Sequence, residues 1–199
     1  MEARFFIAGR VRGPAGHRVD QSKSLPEPQS ISGQFGRAGI KSYFPVMIVD
    51  STICIEPGSL SEYAWCAQAM ASTEPWITLG RDGAACEAAL RRPGSELFIA
   101  RRGNERLGFI LLTANGLAGS PYVAAIAVDQ GTRGHGVGTQ LLAFAERRYP
   151  EARNIFLCVS DFNPRARMLY ERRGYEPAGV LEDYVVEGHA ELLMRKRLR

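Results

Sequence analysis

The sequence predicts one α/β domain built on a single mixed sheet, preceded by a basic N-terminal extension. Three observations carry this expectation. From Met47 onward, strand-like and helix-like runs follow one another as β-α-α-β-β-β-α-β-α-β-β, the mixture expected of helices laid over one sheet. That stretch is about 150 residues long, enough for one domain to bury a core of its own. Residues 9–42, by contrast, are rich in Gly, Ser, Pro, Gln and Arg, with neither helical nor strand periodicity. Such a composition buries too little apolar surface to offset its ordering entropy. The expected boundaries are therefore a disordered or loosely attached extension over 1–46 and a folded domain over 47–199.

The charge follows the same boundary. The chain carries a net +4. Residues 1–46 hold seven Arg or Lys against three acids, whereas the remainder carries eighteen of each sign. A neutral domain behind a basic leader argues against a nucleic-acid protein, because no nucleic-acid fold signature accompanies the basic residues. No apolar run approaches the roughly 18 residues that span a bilayer, and the opening MEARFFIAGRVRG does not read as a secretory signal. The expectation is a cytoplasmic protein with no membrane partner. Cys54, Cys66, Cys86 and Cys158 lie in apolar surroundings without a CxxC pair, which reads as buried free thiols in a reducing compartment. His17, His135 and His189 share no ligand spacing with them, so no metal site is expected.

The elements follow in order. Ile48–Ile55 is strand-like and ends at Glu56-Pro57-Gly58. SLSEYAWCAQAMA opens on a serine cap and places Tyr63, Ala67 and Met70 at helical spacing. A second short helix is expected near Asp82–Leu90. SELFIARR and RLGFILLTA, joined through Gly103-Asn104-Glu105, read as a hairpin, and PYVAAIAV is a third strand. The helix Val137–Arg148 presents Val137, Leu141, Leu142 and Ala145 as its apolar face and leaves Glu146, Arg147 and Arg148 to water. NIFLCVS is a continuously apolar and therefore buried strand. The next helix takes Asn163 as N-cap, Pro164 as first residue and Gly174 as stop. Tyr175–Val186, a turn at Glu187-Gly188 and His189–Leu198 close the domain as a strand pair.

Between the third strand and its helix, TRGHGVGTQLL places Gly134, Gly136 and Gly138 within five residues. Glycine at a helix start gives an anion access to unpaired N–H groups and to the positive end of the helix dipole. Neither common phosphate loop fits. GxxxxGK[ST] fails because no Lys precedes Thr139, and GxGxxG fails from Gly134 and from Gly136 alike. A tight turn without a ligand is the remaining reading of the loop taken alone.

The longer run IAVDQGTRGHGVGTQLL resembles the acetyl-CoA-binding motif of the GNAT superfamily of N-acetyltransferases, with Arg133, Gly136 and Gly138 filling R/Q-x-x-G-x-G/A. FLCVSDFNPRARMLYERRGY is similar to the strand and helix that follow in that family, through Asn163, Ala166, Tyr170, Gly174 and Tyr175. The resemblance covers about three-quarters of the chain and implies a mixed, mostly antiparallel sheet flanked by helices. It also implies acetyl-CoA as co-substrate. Its pyrophosphate would rest on the backbone of Arg133, Gly134, His135, Gly136, Val137, Gly138 and Thr139. Its pantetheine arm would pair with Ile126, Ala127 and Val128 where that strand splays from the next. Ala166 would leave room for the arm, and Asn163 would cap its helix or touch the cofactor.

The resemblance assigns Tyr170 as the proton donor to the departing thiolate. No general base is assigned: the strand before the glycine loop, Tyr122–Val128, carries no acid, and Glu74, Asp183, His189 and a water chain remain open. Trp76 and Tyr184 read equally as acceptor-site and packing residues. The implied reaction is direct attack of an amine, from a small molecule or a protein, on acetyl-CoA. The alternative is a non-catalytic acyl-CoA-binding or sensing module of the same fold. A homodimer is compatible with either.

Overall fold

A computed structural model describes residues 52–199. The extension expected over 1–46 and the opening of the first expected strand lie outside the described residues. Among those described, no helix is long and apolar enough to cross a membrane.

The elements run β1 (Cys54–Pro57), α1 (Tyr63–Ala71), α2 (Gly83–Leu90), β2 (Ser95–Arg102), β3 (Glu105–Leu117), β4 (Ser120–Val128), α3 (Val137–Arg148), β5 (Asn154–Ser160), α4 (Pro164–Arg172), β6 (Glu176–Glu182) and β7 (Ala190–Arg197). The strands form one sheet in the order β1-β2-β3-β4-β5-β7-β6. Every neighbouring pair is antiparallel except β4–β5. The expected mixed, mostly antiparallel sheet is therefore present.

Helix starts follow local chemistry. Asp82 accepts the Ala85 N–H at 2.7 Å ahead of α2, and Asn163 accepts the Ala166 N–H at 3.2 Å ahead of α4, each satisfying an otherwise orphaned donor. Ser59 opens a 3-10 turn over Leu60–Glu62 that leads into α1, with the Glu62 carboxylate accepting the Ser59 N–H at 2.7 Å. Pro164 occupies the first turn of α4, and Gly174 at φ +84° ends it.

The sheet has a packed core on each face. Leu97, Ile99, Phe109, Leu111, Ala125 and Ala127 pack with Cys66, Met70, Cys86 and Leu90 of α1 and α2. Phe98, Ile110, Leu112, Val123, Ile155, Leu157 and Met194 pack with Val137, Leu141, Leu142 and Ala145 of α3 and with Tyr170 of α4. Those four α3 residues are the apolar face expected for that helix.

Four expectations are corrected. Glu146 is not a solvated residue: Arg173 and Lys196 both pair with its carboxylate, the latter at 2.8 Å, and its side chain is largely covered. The β6–β7 connection is longer than a turn at Glu187-Gly188, because the chain leaves the strand conformation at Asp183 (φ +50°). Tyr175 accordingly precedes β6 and is buried rather than being a strand residue. Cys54 is exposed on edge strand β1, so the four free thiols are not uniformly buried: Cys66 and Cys86 are covered and Cys158 is half-covered.

Candidate acyl-transfer site

The site begins with a break in the sheet. β4 and β5 run parallel but pair only at Tyr122↔Phe156 and Val123↔Leu157. Beyond Val123 and Leu157 the two strands part, leaving the β5-facing backbone edge of Ala124–Val128 without a strand partner among the described residues. The cause lies on the opposite edge of β4. There Leu111 pairs with Ala125 and Leu112 with Val123, so Ala124 is an extra residue in the ladder. Such a bulge bends the strand and moves later side chains to the other face. Val123 packs on the α3–α4 side, and after the bulge it is Ile126 and Val128 that do so, while Ala125 and Ala127 turn to the α1–α2 side.

At the open end of this V sits the glycine loop. After a 3-10 turn at Gln130–Thr132, Gly134 and Gly136 both take left-handed conformations, φ +87° and +81°. A Cβ on either would meet nothing within 4 Å, so both flank open space. Gly136 is the N-cap of α3 and no side chain caps that helix. The first intrahelical bond is Gln140 N–H to Gly136 C=O at 3.0 Å, leaving the N–H groups of Val137, Gly138 and Thr139 without intrahelical partners.

His135 is tied back to the Thr132 carbonyl by its N–H at 3.4 Å, with its Nδ1 at 3.3 Å from the same oxygen. Arg133 turns its side chain inward, donating from Nε to the Val128 carbonyl at 3.3 Å and locking the loop to the end of β4. Gly138 stands apart from the other two glycines. A Cβ there would lie 3.2 Å from Leu169 and 3.6 Å from Val128, so its bareness lets α3 sit close to α4 and β4. The arrangement can hold a pyrophosphate at the loop and an extended amide-bearing chain along β4, since oriented N–H groups and an unpaired strand edge suit those two partners.

On α4, Asn163, Ala166 and Tyr170 share one face by their spacing. The Asn163 carboxamide oxygen is committed to capping. Tyr170 and Tyr175 lie with ring centroids 6.0 Å apart, yet their hydroxyls differ. That of Tyr175 is sealed from solvent without a hydrogen-bond partner. Tyr170 is 6 % exposed, and its hydroxyl also has no partner among the described residues but is not sealed. Burial pushes the Tyr170 phenol well above its ordinary range, so it keeps its proton at neutral pH.

A second group of side chains occupies the α1–α2 side of the V. Tyr122 on β4 and Cys158 on β5 interact electrostatically. Ser160, at the end of β5, donates to Glu191 Oε1 at 2.5 Å, the two being register partners on β5 and β7. Burial pushes up the Tyr122 phenol, the Cys158 thiol and the Glu191 carboxyl alike, and the Ser160 hydrogen bond opposes this at Glu191.

The carboxylates and the histidine that the sequence leaves open as bases have other partners. Glu74 accepts from Thr78, both N–H and hydroxyl, within its own turn. Asp183 accepts the Gly188 N–H at 2.6 Å across the β6–β7 connection. His189 lies 3.3 Å from Asp161 and edge-on to Phe162. Sequence reasoning missed Glu191 because AELLMRKR presents it as one more polar residue of an edge-like strand. Only its register with Ser160 reveals its place.

The chain matches the model of the acetyltransferase (GNAT) family over residues 59–175. It is 32% identical over 103 residues to an uncharacterized N-acetyltransferase of Methanocaldococcus jannaschii, covering 50% of this chain and 65% of that one. It is 34% identical over 85 residues to the S-(2-succino)cysteine N-acetyltransferase of Bacillus subtilis, covering 41% of this chain and 50% of that one. The matched segment thus spans less than two-thirds of either relative. In fold, the chain is similar to a GNAT-family protein from Desulfovibrio desulfuricans (TM-score 0.64, 17% identity, 74% of this chain and 100% of that one). It is also similar to an aminoglycoside 6'-N-acetyltransferase complexed with coenzyme A (TM-score 0.60, 18% identity, 73% and 97%). With the family model covering more than half of its length and the splayed sheet in place, the chain belongs to the GNAT acetyltransferase family.

Proposed function

We propose that the protein is an acetyl-CoA-dependent N-acetyltransferase in which an amine attacks the thioester directly. The observation that carries this reading is the parting of β4 from β5 after Val123 and Leu157, with an uncapped helix start beside it. Family membership and the N-acetyltransferase relatives support the same activity, and the coenzyme A complex of a protein alike in fold supports the choice of co-substrate.

Acetyl-CoA supplies the activated acetyl group, and the chain supplies position and polarity. The N–H groups of Gly134 and of Gly136–Thr139 face the pyrophosphate, where the dipole of α3 favours its charge. The edge of Ala124–Val128, free except for the Val128 carbonyl that Arg133 holds, pairs with the pantetheine amides as a further strand does. Holding the two reactants together removes most of the entropic barrier. Tyr170, protonated and unbonded, donates its proton to the thiolate as the C–S bond breaks. The neutral form of the acceptor nitrogen forms the new C–N bond, and the proton it sheds on becoming an amide restores the Tyr170 phenol.

The test is release of free thiol from acetyl-CoA with a panel of amines, small-molecule and peptide. Amine-dependent release in the wild type supports the reading. Acetyl-CoA binding without release for any amine would favour the non-catalytic acyl-CoA-binding module instead.

A further inference from the structure

We infer that Glu191 receives the acceptor as a primary ammonium ion and takes the proton that frees its lone pair for attack. The inference rests on the acetyltransferase reading above and deepens it, by assigning the base and the charge class of the acceptor.

Glu191 is placed by register. β7 pairs with β5 so that Ser160 faces Glu191 and Cys158 faces Leu193. Partners across an antiparallel ladder point to the same face, and the parallel pair Tyr122↔Phe156 puts Tyr122 on that face as well. Glu191 therefore stands with Tyr122 and Cys158, opposite the face into which Tyr170 packs. Ser160 lies three residues beyond the last β4–β5 pair, about 10 Å along the strand at its ordinary rise. Glu191 thus flanks the open arm of the V, across the sheet from the proton donor. The group that accepts a proton from the nucleophile and the group that gives one to the leaving group are then separate residues on separate faces.

Glu191 as a residue is 9 % exposed, and of its carboxylate only Oε1 is bonded, to the Ser160 hydroxyl. Oε2 has no partner among the described residues and is not sealed from solvent. Oε2 is thus the carboxylate oxygen open to an incoming cation or proton. The groups around it are Ser160 and Cys158 on β5, Tyr122 on β4, Leu181 opposite it on β6, and Asp161, itself bonded to His189, in the turn after β5. No Lys or Arg is paired with it among the described residues. Burial raises its affinity for a proton, the Ser160 hydrogen bond lowers it and the Asp161 charge raises it.

The step balances within the reaction proposed. The ammonium gives one proton to Glu191 Oε2 and the freed nitrogen lone pair forms the C–N bond. The C–S bond then breaks with its electron pair on sulfur, Tyr170 protonates the thiolate, and the second proton that the nitrogen sheds on becoming an amide returns the Tyr170 phenolate to a phenol through water. The acetamide carries no charge, so the carboxylate also loses its hold on the product.

The experiment compares wild type, Glu191→Gln and Ser160→Ala by thiol release from acetyl-CoA with two probes. Methylamine is an ammonium ion at neutral pH, and hydroxylamine is a free base there. Glu191→Gln keeps an oxygen for the Ser160 hydroxyl, so its melting temperature serves as the fold control. A positioned base contributes about 10² to 10⁴ in rate. The expected result is a loss of methylamine turnover of at least about tenfold in Glu191→Gln, with hydroxylamine turnover kept within about threefold. In Ser160→Ala, loss of the hydrogen bond raises the carboxyl pKa, so the rise of methylamine turnover with pH moves to higher pH. Equal losses with both probes, undiminished methylamine turnover, or an unmoved pH limb in Ser160→Ala would each overturn the role of Glu191 while leaving the acetyltransferase reading intact. Failure of the wild type to release thiol with either probe and with every amine of the panel would overturn both.

Discussion

Tyr170→Phe separates chemistry from packing at the centre of this site. The substitution keeps the ring within the core formed with Val137, Leu141 and Met194 and removes only the hydroxyl. That hydroxyl has no hydrogen-bond partner among the described residues in a side chain that is 6 % exposed. The hydroxyl is not sealed from solvent, so removing it leaves no buried polar group unpaired and disturbs the fold little. The variant should melt near the wild-type temperature. Catalysis should move the other way. Loss of a positioned proton donor lowers the rate about 10²- to 10⁴-fold, roughly 3 to 5 kcal/mol in the barrier. The assay pairs a thermal melt with kcat from thiol release at saturating amine and acetyl-CoA. A stable variant with kcat down at least about tenfold, and acetyl-CoA affinity little changed, is the expected result. Wild-type kcat in the Phe variant would refute the proton-donor role, and a lower melt with kcat per folded molecule preserved would show that the ring's surroundings had been misjudged.

Two further outcomes are expected. Cys54, exposed on β1, should react first with a thiol reagent under native conditions, whereas Cys66, whose thiol burial pushes up to about 12, should react only on unfolding; equal native rates would contradict the packing of α1. A polypeptide of residues 47–199 should retain a cooperative melt and its stabilisation by acetyl-CoA, because residues 9–42 have too few apolar residues to join a core; aggregation of the shortened chain would move the domain boundary.

What the sequence discloses about this fold depends on whether the relevant physics is local. The α3 face Val137, Leu141, Leu142 and Ala145 was readable because helical period alone selects it. The caps at Asp82 and Asn163 were readable because a side chain satisfies a backbone group three residues away. Gly134 and Gly136 carried the conformational signal that their positive φ angles explain. Gly138 looked the same in sequence but answers to Leu169, thirty-one residues downstream. The bulge at Ala124 left no trace, since every residue of VAAIAV is apolar and either face assignment reads equally well. Glu146 looked like a surface acid because its partners Arg173 and Lys196 arrive from later elements. Glu191 stayed hidden for the same reason: its significance lies in strand register, and register is a long-range property.

The most direct test of the central claim is the stabilisation of the protein by acetyl-CoA, compared between wild type and Gly136→Val. A ligand that binds only the native state at about 100 times its Kd adds roughly 2.7 kcal/mol, or about 5 to 10 °C in Tm for a domain of this size. In the variant, a β-branched residue is forced into the left-handed position that Gly136 holds at φ +81°, and its side chain enters the open space before α3. A clear shift is expected in the wild type and none in Gly136→Val, with the variant still melting cooperatively. An undiminished shift in the variant would contradict it, because the pyrophosphate would then rest somewhere other than the start of α3.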